Sequence, residues 1–122
     1  MGLDADALRT ALSAATPAAG DAPPAVAARL CAFIGANRTG SVIGELYAAG
    51  PWVHLVLERG ELRYWEIDCL SPNDFHMYPG FERPDGVYWA NVWVRDNMDV
   101  DELVKTINDV AFKTGQEELQ NA

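Results

Sequence analysis

The apolar positions near the N-terminus recur at the spacing of an α-helix, with Asp4 in front of them as a candidate N-cap. The pattern dissolves at residues 15–24, ATPAAGDAPP, where proline, glycine and small residues take over. We therefore predict an alanine-rich helix and a linker over residues 1–22. The apolar face of this helix consists of Leu8, Ala11 and Leu12.

A second helical stripe follows the linker. Pro23 and Pro24 suit the first turn of a helix, because proline lacks the N–H group that a first turn leaves unpaired. The stripe should end near residues 35–37, at a glycine and an asparagine. Its apolar members, at i, i+4, i+7 and i+8, are Val26, Leu30, Phe33 and Ile34.

Residues 39–51, TGSVIGELYAAGP, fit two structures. Their apolar spacing allows a short helix that ends at Gly50 and Pro51, whereas their β-branched residues favour a strand. We predict a strand here.

From Trp52 onward the sequence is typical of β-structure. The runs WVHLVLE and ELRYWEIDC are separated by Arg59-Gly60, a connection short enough for a hairpin. A two-residue loop would set Glu58 opposite Glu61, whereas a three-residue loop would set His54 opposite Glu66. The second register also opposes Leu55 with Trp65 and Val53 with Ile67. We predict the second register, because it collects the apolar side chains on one face.

Residues 68–86, DCLSPNDFHMYPGFERPDG, interrupt the strand pattern with prolines and glycines. We interpret this stretch as a long connection that begins after Cys69. Its apolar part, residues 75–81, is expected to fold back over the core or to form a contact surface.

Residues 86–94, GVYWANVWV, alternate with apolar side chains on both faces. This pattern predicts a central strand that is covered on both sides, or by helices on one side and a partner subunit on the other. A C-terminal helix follows. Asp99 and Glu102 have the spacing of a capping box, Gly115 is the predicted helix end, and residues 116–122 read as a polar tail. The buried stripe of this helix comprises Val100, Leu103, Val104, Ile107, Val110 and Ala111.

Together these elements predict an α+β fold. It has two N-terminal helices, a mostly antiparallel sheet of three or four strands with a central hairpin, and a C-terminal helix packed on the sheet. A length of 122 residues with 49% hydrophobic and 22% charged residues suits a single globular domain over residues 1–122.

The net charge of −9 is concentrated in the second half of the chain. Up to residue 57 there are four acids and three bases, for a balance of −1, and from residue 58 there are fourteen acids and six bases, for a balance of −8. This field and the scattered basic residues argue against direct nucleic-acid binding. They favour a basic partner, or they only keep the protein in solution.

No stretch approaches the roughly 18 uninterrupted apolar residues of a membrane span. The N-terminus carries acids where a secretory signal needs positive charge. We therefore predict a cytoplasmic protein without a membrane partner.

Two arrangements could carry chemistry. Cys69 could be a nucleophile activated by His76 or His54, although a cysteine at a strand end is more often a packing residue. Glu66 and Asp68 lie two apart on one strand, so both could face His54 and serve in acid–base chemistry or in binding a hard cation. A solvated strand face explains the carboxylates as well, so we predict no catalytic residue, metal or cofactor.

The aromatic residues are concentrated in the sheet region, where they could form a recognition surface. We expect a small acidic protein that binds another protein, in one form an inhibitor or immunity-type protein for a basic partner, with a homodimer through the same surface as an alternative. The alternative function is a small-molecule-binding protein or small enzyme with an aromatic pocket near His54 and residues 68–86. The candidate binding residues are Trp52, His54, Trp65, Glu66, Asp68, Phe75, His76, Tyr78, Phe81, Arg83, Trp89 and Trp93.

Overall fold

The computed structural model describes residues 2–13, 22–60, 62–90 and 95–112. In these residues the chain forms three helices and six strands. The helices are α1 (Ala5–Ser13), α2 (Pro23–Ala36) and α3 (Val100–Ala111). The strands are β1 (Ile43–Ala49), β2 (Trp52–Leu57), β3 (Tyr64–Ser71), β4 (Asp74–Arg83), β5 (Gly86–Trp89) and β6 (Arg95–Met98). The predicted α+β class and the C-terminal helix are confirmed, but the sheet has more strands than the three or four predicted.

The strands form one antiparallel sheet in the order β1-β2-β3-β4-β5, so each strand pairs with the next along the chain. Strand β6 also pairs with β4, nearer its N-terminal end, where Phe75 lies opposite Met98. The predicted strand over residues 39–51 is confirmed as β1.

The predicted hairpin is β2–β3, and its register is the predicted one. His54 lies opposite Glu66, and Leu55 lies opposite Trp65. The loop is longer than the three residues expected, because β2 ends at Leu57 and β3 begins at Tyr64.

The interpretation of residues 68–86 as a long connection is wrong. Strand β3 continues to Ser71, and β4 then occupies residues 74–83. Side chains of β4 alternate, with Phe75, Met77 and Pro79 buried and the residues between them less so. The apolar side chains of Phe75, Met77 and Pro79 therefore belong to the core face of a strand.

Pro79 is tolerated in β4 because of its position. Its carbonyl accepts a hydrogen bond from Ala90 N–H at 2.7 Å, so its nitrogen also faces the β5/β6 side. On that side β4 pairs with β6 near Met77 and with β5 from Gly80 onward. The missing N–H group thus falls between two paired stretches.

The prediction that residues 86–94 form a central strand is also wrong. Strand β5 ends at Trp89 and is the last strand of the sheet order, and its Val87 and Tyr88 are exposed. Residues 91–94, including Trp93, lie outside the described residues.

All three helices bury their apolar stripes in one core with the same face of the sheet. Asp99 caps α3 by accepting a hydrogen bond from Glu102 N–H at 2.9 Å, as the capping-box spacing predicted. Helix α3 ends at Ala111, before the predicted Gly115, which is not among the described residues. The core of the sheet is built from Val53, Leu55, Leu57, Trp65, Ile67, Cys69, Phe75, Met77 and Met98.

Candidate functional site

The face of the sheet that points away from the helices, here called the open face, carries most of the polar and aromatic candidates. Side chains alternate between the two faces of the sheet along each strand. In β2, Val53 and Leu55 enter the core, so Trp52 and His54 lie on the open face. Antiparallel pairing aligns these side chains into rows that cross the sheet.

The middle row, here called the polar row, consists of Tyr47, His54, Glu66 and Tyr78, one from each of four neighbouring strands. Its side chains form a continuous hydrogen-bonded chain. Tyr47 Oη lies 2.7 Å from His54 Nδ1, and His54 Nε2 lies 3.1 Å from Glu66 Oε1. The hydroxyl of Tyr78 then donates to Glu66 Oε2. Glu66 is 6% exposed, so its carboxylate is satisfied by its neighbours in the row.

The environment of His54 favours the neutral form of its ring. Burial lowers the pKa of His54, and the nearby carboxyl of Asp68 only partly opposes that effect. A neutral ring that donates from Nε2 to Glu66 leaves Nδ1 as an acceptor for the hydroxyl of Tyr47. With this tautomer, donation runs from Tyr47 through His54 to Glu66.

Asp68 lies next to the polar row, and its carboxyl group competes with that of Glu66 for the hydroxyl of Tyr78. Asp68 Oδ2 lies 3.0 Å from Tyr78 Oη, which already donates to Glu66. Burial and the neighbouring Glu66 raise the pKa of Asp68 to about 7, against the opposing effects of Tyr78 and His76. Burial and the two carboxyl groups also raise the pKa of Tyr78, so its proton stays on the phenol.

Trp89 covers the other side of the polar row. Its ring lies 4.9 Å from that of His54 and 6.4 Å from that of Tyr78, measured between centroids. Gly80 makes this position available, because a Cβ atom there would approach Trp89 Cε3 to 2.7 Å. A strand glycine therefore lets the indole pack close to the backbone of β4.

A second row, formed by Trp52, Asp68 and His76, borders a pocket of about 380 Å³ at the end of the sheet, here called the end pocket. The carboxyl group thus stands between an indole and an imidazole. The remaining walls are Pro23, Pro51, Cys69 and Leu70. The volume lies at the lower end of the range of about 300 to 1,000 Å³ that is typical of ligand pockets.

The structure separates the predicted candidates into three groups. Trp65 and Phe75 are core residues, while Phe81 and Arg83 lie at the far end of β4, where Arg83 stacks on Tyr88 at 5.1 Å. The candidates that come together on the open face are Trp52, His54, Glu66, Asp68, His76, Tyr78 and Trp89.

Sequence reasoning missed Tyr47 as a site residue. It is 44% exposed and completes the polar row through His54. The strand predicted for residues 39–51 contained the signal, since it places Tyr47 in β-structure next to the hairpin. The register that brings Tyr47 opposite His54 depends on how β1 pairs with β2, which the pattern within one strand leaves open.

The Cys69 nucleophile hypothesis does not fit the geometry. Cys69 points into the core, whereas His54 and His76 lie on the open face. Burial raises the pKa of the Cys69 thiol to about 12, so it stays protonated. Cys31 and Cys69 are both free thiols.

Within the described ranges, no group of three or more histidine, cysteine, aspartate or glutamate residues is arranged to hold a metal ion. Among those same residues, no helix has the length and apolar character needed to cross a membrane. Comparison with protein-family models, with curated proteins and with solved structures gave no match.

Proposed function

We propose that the protein binds another protein through the open face of its sheet, and that this partner is basic. The observation that carries the proposal is the pairing of half-exposed aromatic side chains with acids on one face. Tyr47 and Trp52 are 44% and 43% exposed, and they flank a centre that contains Glu66 and Asp68. Aromatic residues beside charged groups are typical of the residues that dominate binding energy.

The charge of the open face supports a basic partner. Glu45, Glu66, Asp68 and Glu82 occupy strand positions on this face. From β1 to β5, as far as these strands are described, no lysine or arginine occupies a strand position on it. Complementary charge would speed association and select the partner.

The same charges argue against a second copy as the partner. A symmetric dimer through the open face would bring Glu66 and Asp68 of one chain close to the acids of the other. Like charges placed together in an interface cost several kcal/mol unless they are neutralised. A basic surface avoids that cost, so we prefer a basic protein to a homodimer.

The test compares variants that are matched in exposure. Tyr47→Ala and Tyr88→Ala each remove a tyrosine that is 44% exposed. Tyr88 is on β5, opposite Phe81 of β4, and lies away from the polar row. The immobilised chain should recover a basic protein from native cell extract at low salt. Its dissociation constant should rise about tenfold or more with Tyr47→Ala or Trp52→Ala and stay unchanged with Tyr88→Ala.

Salt provides the second arm of this test. Binding should weaken on the order of tenfold between 50 and 300 mM salt, because screening acts on the charges around the interface. The proposal fails if the extract yields no partner. It fails equally if the recovered protein binds the Tyr47→Ala and Trp52→Ala variants as tightly as the native chain.

The end pocket favours a second candidate function, the binding of a small molecule beside Trp52 and His76. It lies at the edge of the open face, where residues of the 68–86 stretch line it and His54 does not, whereas the expected aromatic pocket was near both. Ligand-induced stabilisation separates the two functions: a small molecule that raises the melting temperature of the native chain but not of Trp52→Ala would support this candidate.

A further inference from the structure

Asp68 is the polar centre of the end pocket, and its hydrogen bonding is incomplete. Asp68 Oδ2 has the hydroxyl of Tyr78 within reach, whereas the buried Asp68 Oδ1 has no hydrogen-bond partner among the residues that the structure describes. A buried carboxylate oxygen without a donor is costly, so the site favours either a proton on Asp68 or a cation brought to it.

The protons available to Glu66, Tyr78 and Asp68 determine the protonation state of this site in the free protein. Between Glu66 Oε2 and Asp68 Oδ2 lies the hydroxyl of Tyr78, which can donate to only one of them. It donates to Glu66, so a second proton is needed between the oxygens of Tyr78 and Asp68. The carboxyl group of Asp68 is the site that can carry this proton, because burial and the neighbouring Glu66 raise its pKa more than Tyr78 and His76 lower it.

The walls of the end pocket match one kind of side chain. Trp52 offers an indole surface for a planar cation, and Asp68 offers a carboxyl group beside it. Pro23, Pro51 and Leu70 supply apolar contacts for an aliphatic stem.

We propose that the end pocket receives an arginine side chain of the basic partner, and that its guanidinium group replaces the proton carried by Asp68 in the free protein. The inference rests on the proposed binding function and names the contact that would anchor it. Arginine fits better than lysine, because its planar group stacks on aromatic rings such as that of Trp52.

Binding by proton replacement depends on pH. The titratable groups that face Asp68 are Glu66 on its own strand, His54 on β2, and His76 and Tyr78 on β4. With a pKa of about 7 for Asp68, its ionised fraction rises from about one tenth at pH 6 to about nine tenths at pH 8. The affinity for a guanidinium group should therefore be about tenfold higher at pH 8 than at pH 6.

The experiment titrates the full chain with Nα-acetyl-arginine amide and follows the indole N–H signal of Trp52 by NMR. Nα-acetyl-citrulline amide is the matched control, because it has nearly the same shape without the charge. We expect a saturable shift of the Trp52 signal with the arginine probe, strengthened about tenfold from pH 6 to pH 8, and no saturable shift with citrulline.

Two variants make the outcome specific. Asp68→Asn should abolish the arginine-dependent shift, while Glu82→Gln, which removes an acid from the same face beyond the end pocket, should preserve it. Equal shifts with arginine and citrulline, or an arginine shift retained in Asp68→Asn, would overturn the inference. Neither result would affect partner capture through Tyr47, so failure of this inference is distinguishable from failure of the proposed function.

Discussion

At the scale of single residues, Asp68 shows how position changes the chemistry of an ordinary side chain. It lies opposite Trp52 on one side and His76 on the other, and it shares the hydroxyl of Tyr78 with Glu66. These neighbours provide fewer hydrogen-bond donors than the carboxyl oxygens of Glu66 and Asp68 can accept. The pKa of Asp68 is therefore higher than that of an isolated aspartate. The open face therefore contains a group whose charge changes near neutral pH.

This state predicts a pH-dependent effect of Asp68→Asn on stability. The folded-state pKa of about 7 lies above that of the unfolded chain, so folded Asp68 binds more protons between pH 4 and pH 7. Its contribution to the free energy of unfolding falls as pH rises through that window and is constant above it. The asparagine variant lacks this loss, so its stability relative to the native chain should rise with pH.

The measurement is urea denaturation of both chains at pH 4.5, 6 and 8. Between pH 4.5 and pH 8, we expect the free energy of unfolding of Asp68→Asn to rise by about 1 to 2 kcal/mol relative to that of the native chain. This is less than the full pKa difference would give, because the side chain is partly solvated. Glu82→Gln controls for the loss of one negative charge from the same face. A difference that stays constant from pH 4.5 to pH 8 would show that Asp68 titrates alike in the folded and unfolded chains.

At the scale of elements, β4 determines the shape of the site. It contributes Tyr78 to the polar row and His76 to the end pocket, and it pairs with β3, β5 and β6. Its Gly80 lies opposite Trp89 of β5 and lets that indole reach His54. The packing of the open face thus depends on a glycine in a strand.

We predict that Gly80→Ala displaces Trp89 from the polar row. The new methyl group would meet Trp89 Cε3 at 2.7 Å and Val87 Cγ1 at 3.0 Å, so the ring must move. Overpacking of this kind costs about 1 to 3 kcal/mol, measurable as a lower urea midpoint. The NMR signals of the His54 ring should change as well, because the indole no longer covers it.

Gly35→Ala is the matched control for this substitution. Its added Cβ would meet Leu46 Cδ2 at 3.6 Å, an ordinary contact, and Gly35 lies in α2, where alanine is favoured. The control should be neutral or stabilising by up to about 1 kcal/mol. Equal destabilisation by the two substitutions would mean that the contact with Trp89 is not the cause.

At the scale of the whole molecule, the helices all lie on one side of the sheet, and four acidic strand positions lie on the other, namely Glu45, Glu66, Asp68 and Glu82. The core collects the apolar faces of α1, α2 and α3 against the sheet. A net charge of −9 adds a repulsive field between copies of the chain. This distribution supports the proposal that a partner of opposite charge binds the open face.

This arrangement predicts the oligomeric state of the isolated protein. Sedimentation velocity at 20 mM salt should give the mass of one chain, because weak screening leaves the repulsion between open faces in place. At 500 mM salt the repulsion between copies of the chain is weaker, so self-association should be no weaker than at 20 mM salt. A dimer already present at 20 mM salt and lost in Trp52→Ala would contradict the prediction and make a second copy the partner.

Local patterns in the sequence were enough for the elements that depend on neighbouring residues. The two N-terminal helices, the Asp99 cap and the register of the β2–β3 hairpin follow from apolar spacing, capping chemistry and the pairing of short segments. Glu66 opposite His54 could also be predicted, because a hairpin register fixes which side chains face each other.

Only the tertiary structure decided how the remaining strands meet. Residues 68–86 contain prolines that indicate a loop, yet the core takes Phe75, Met77 and Pro79 from a strand. The pairing of β4 with β3 brings Tyr78 between Glu66 and Asp68, which are twelve and ten residues away from it in the chain. The sequence by itself determined which side chains were available, whereas the proton shared among them depends on pairings between strands, which local periodicity does not encode.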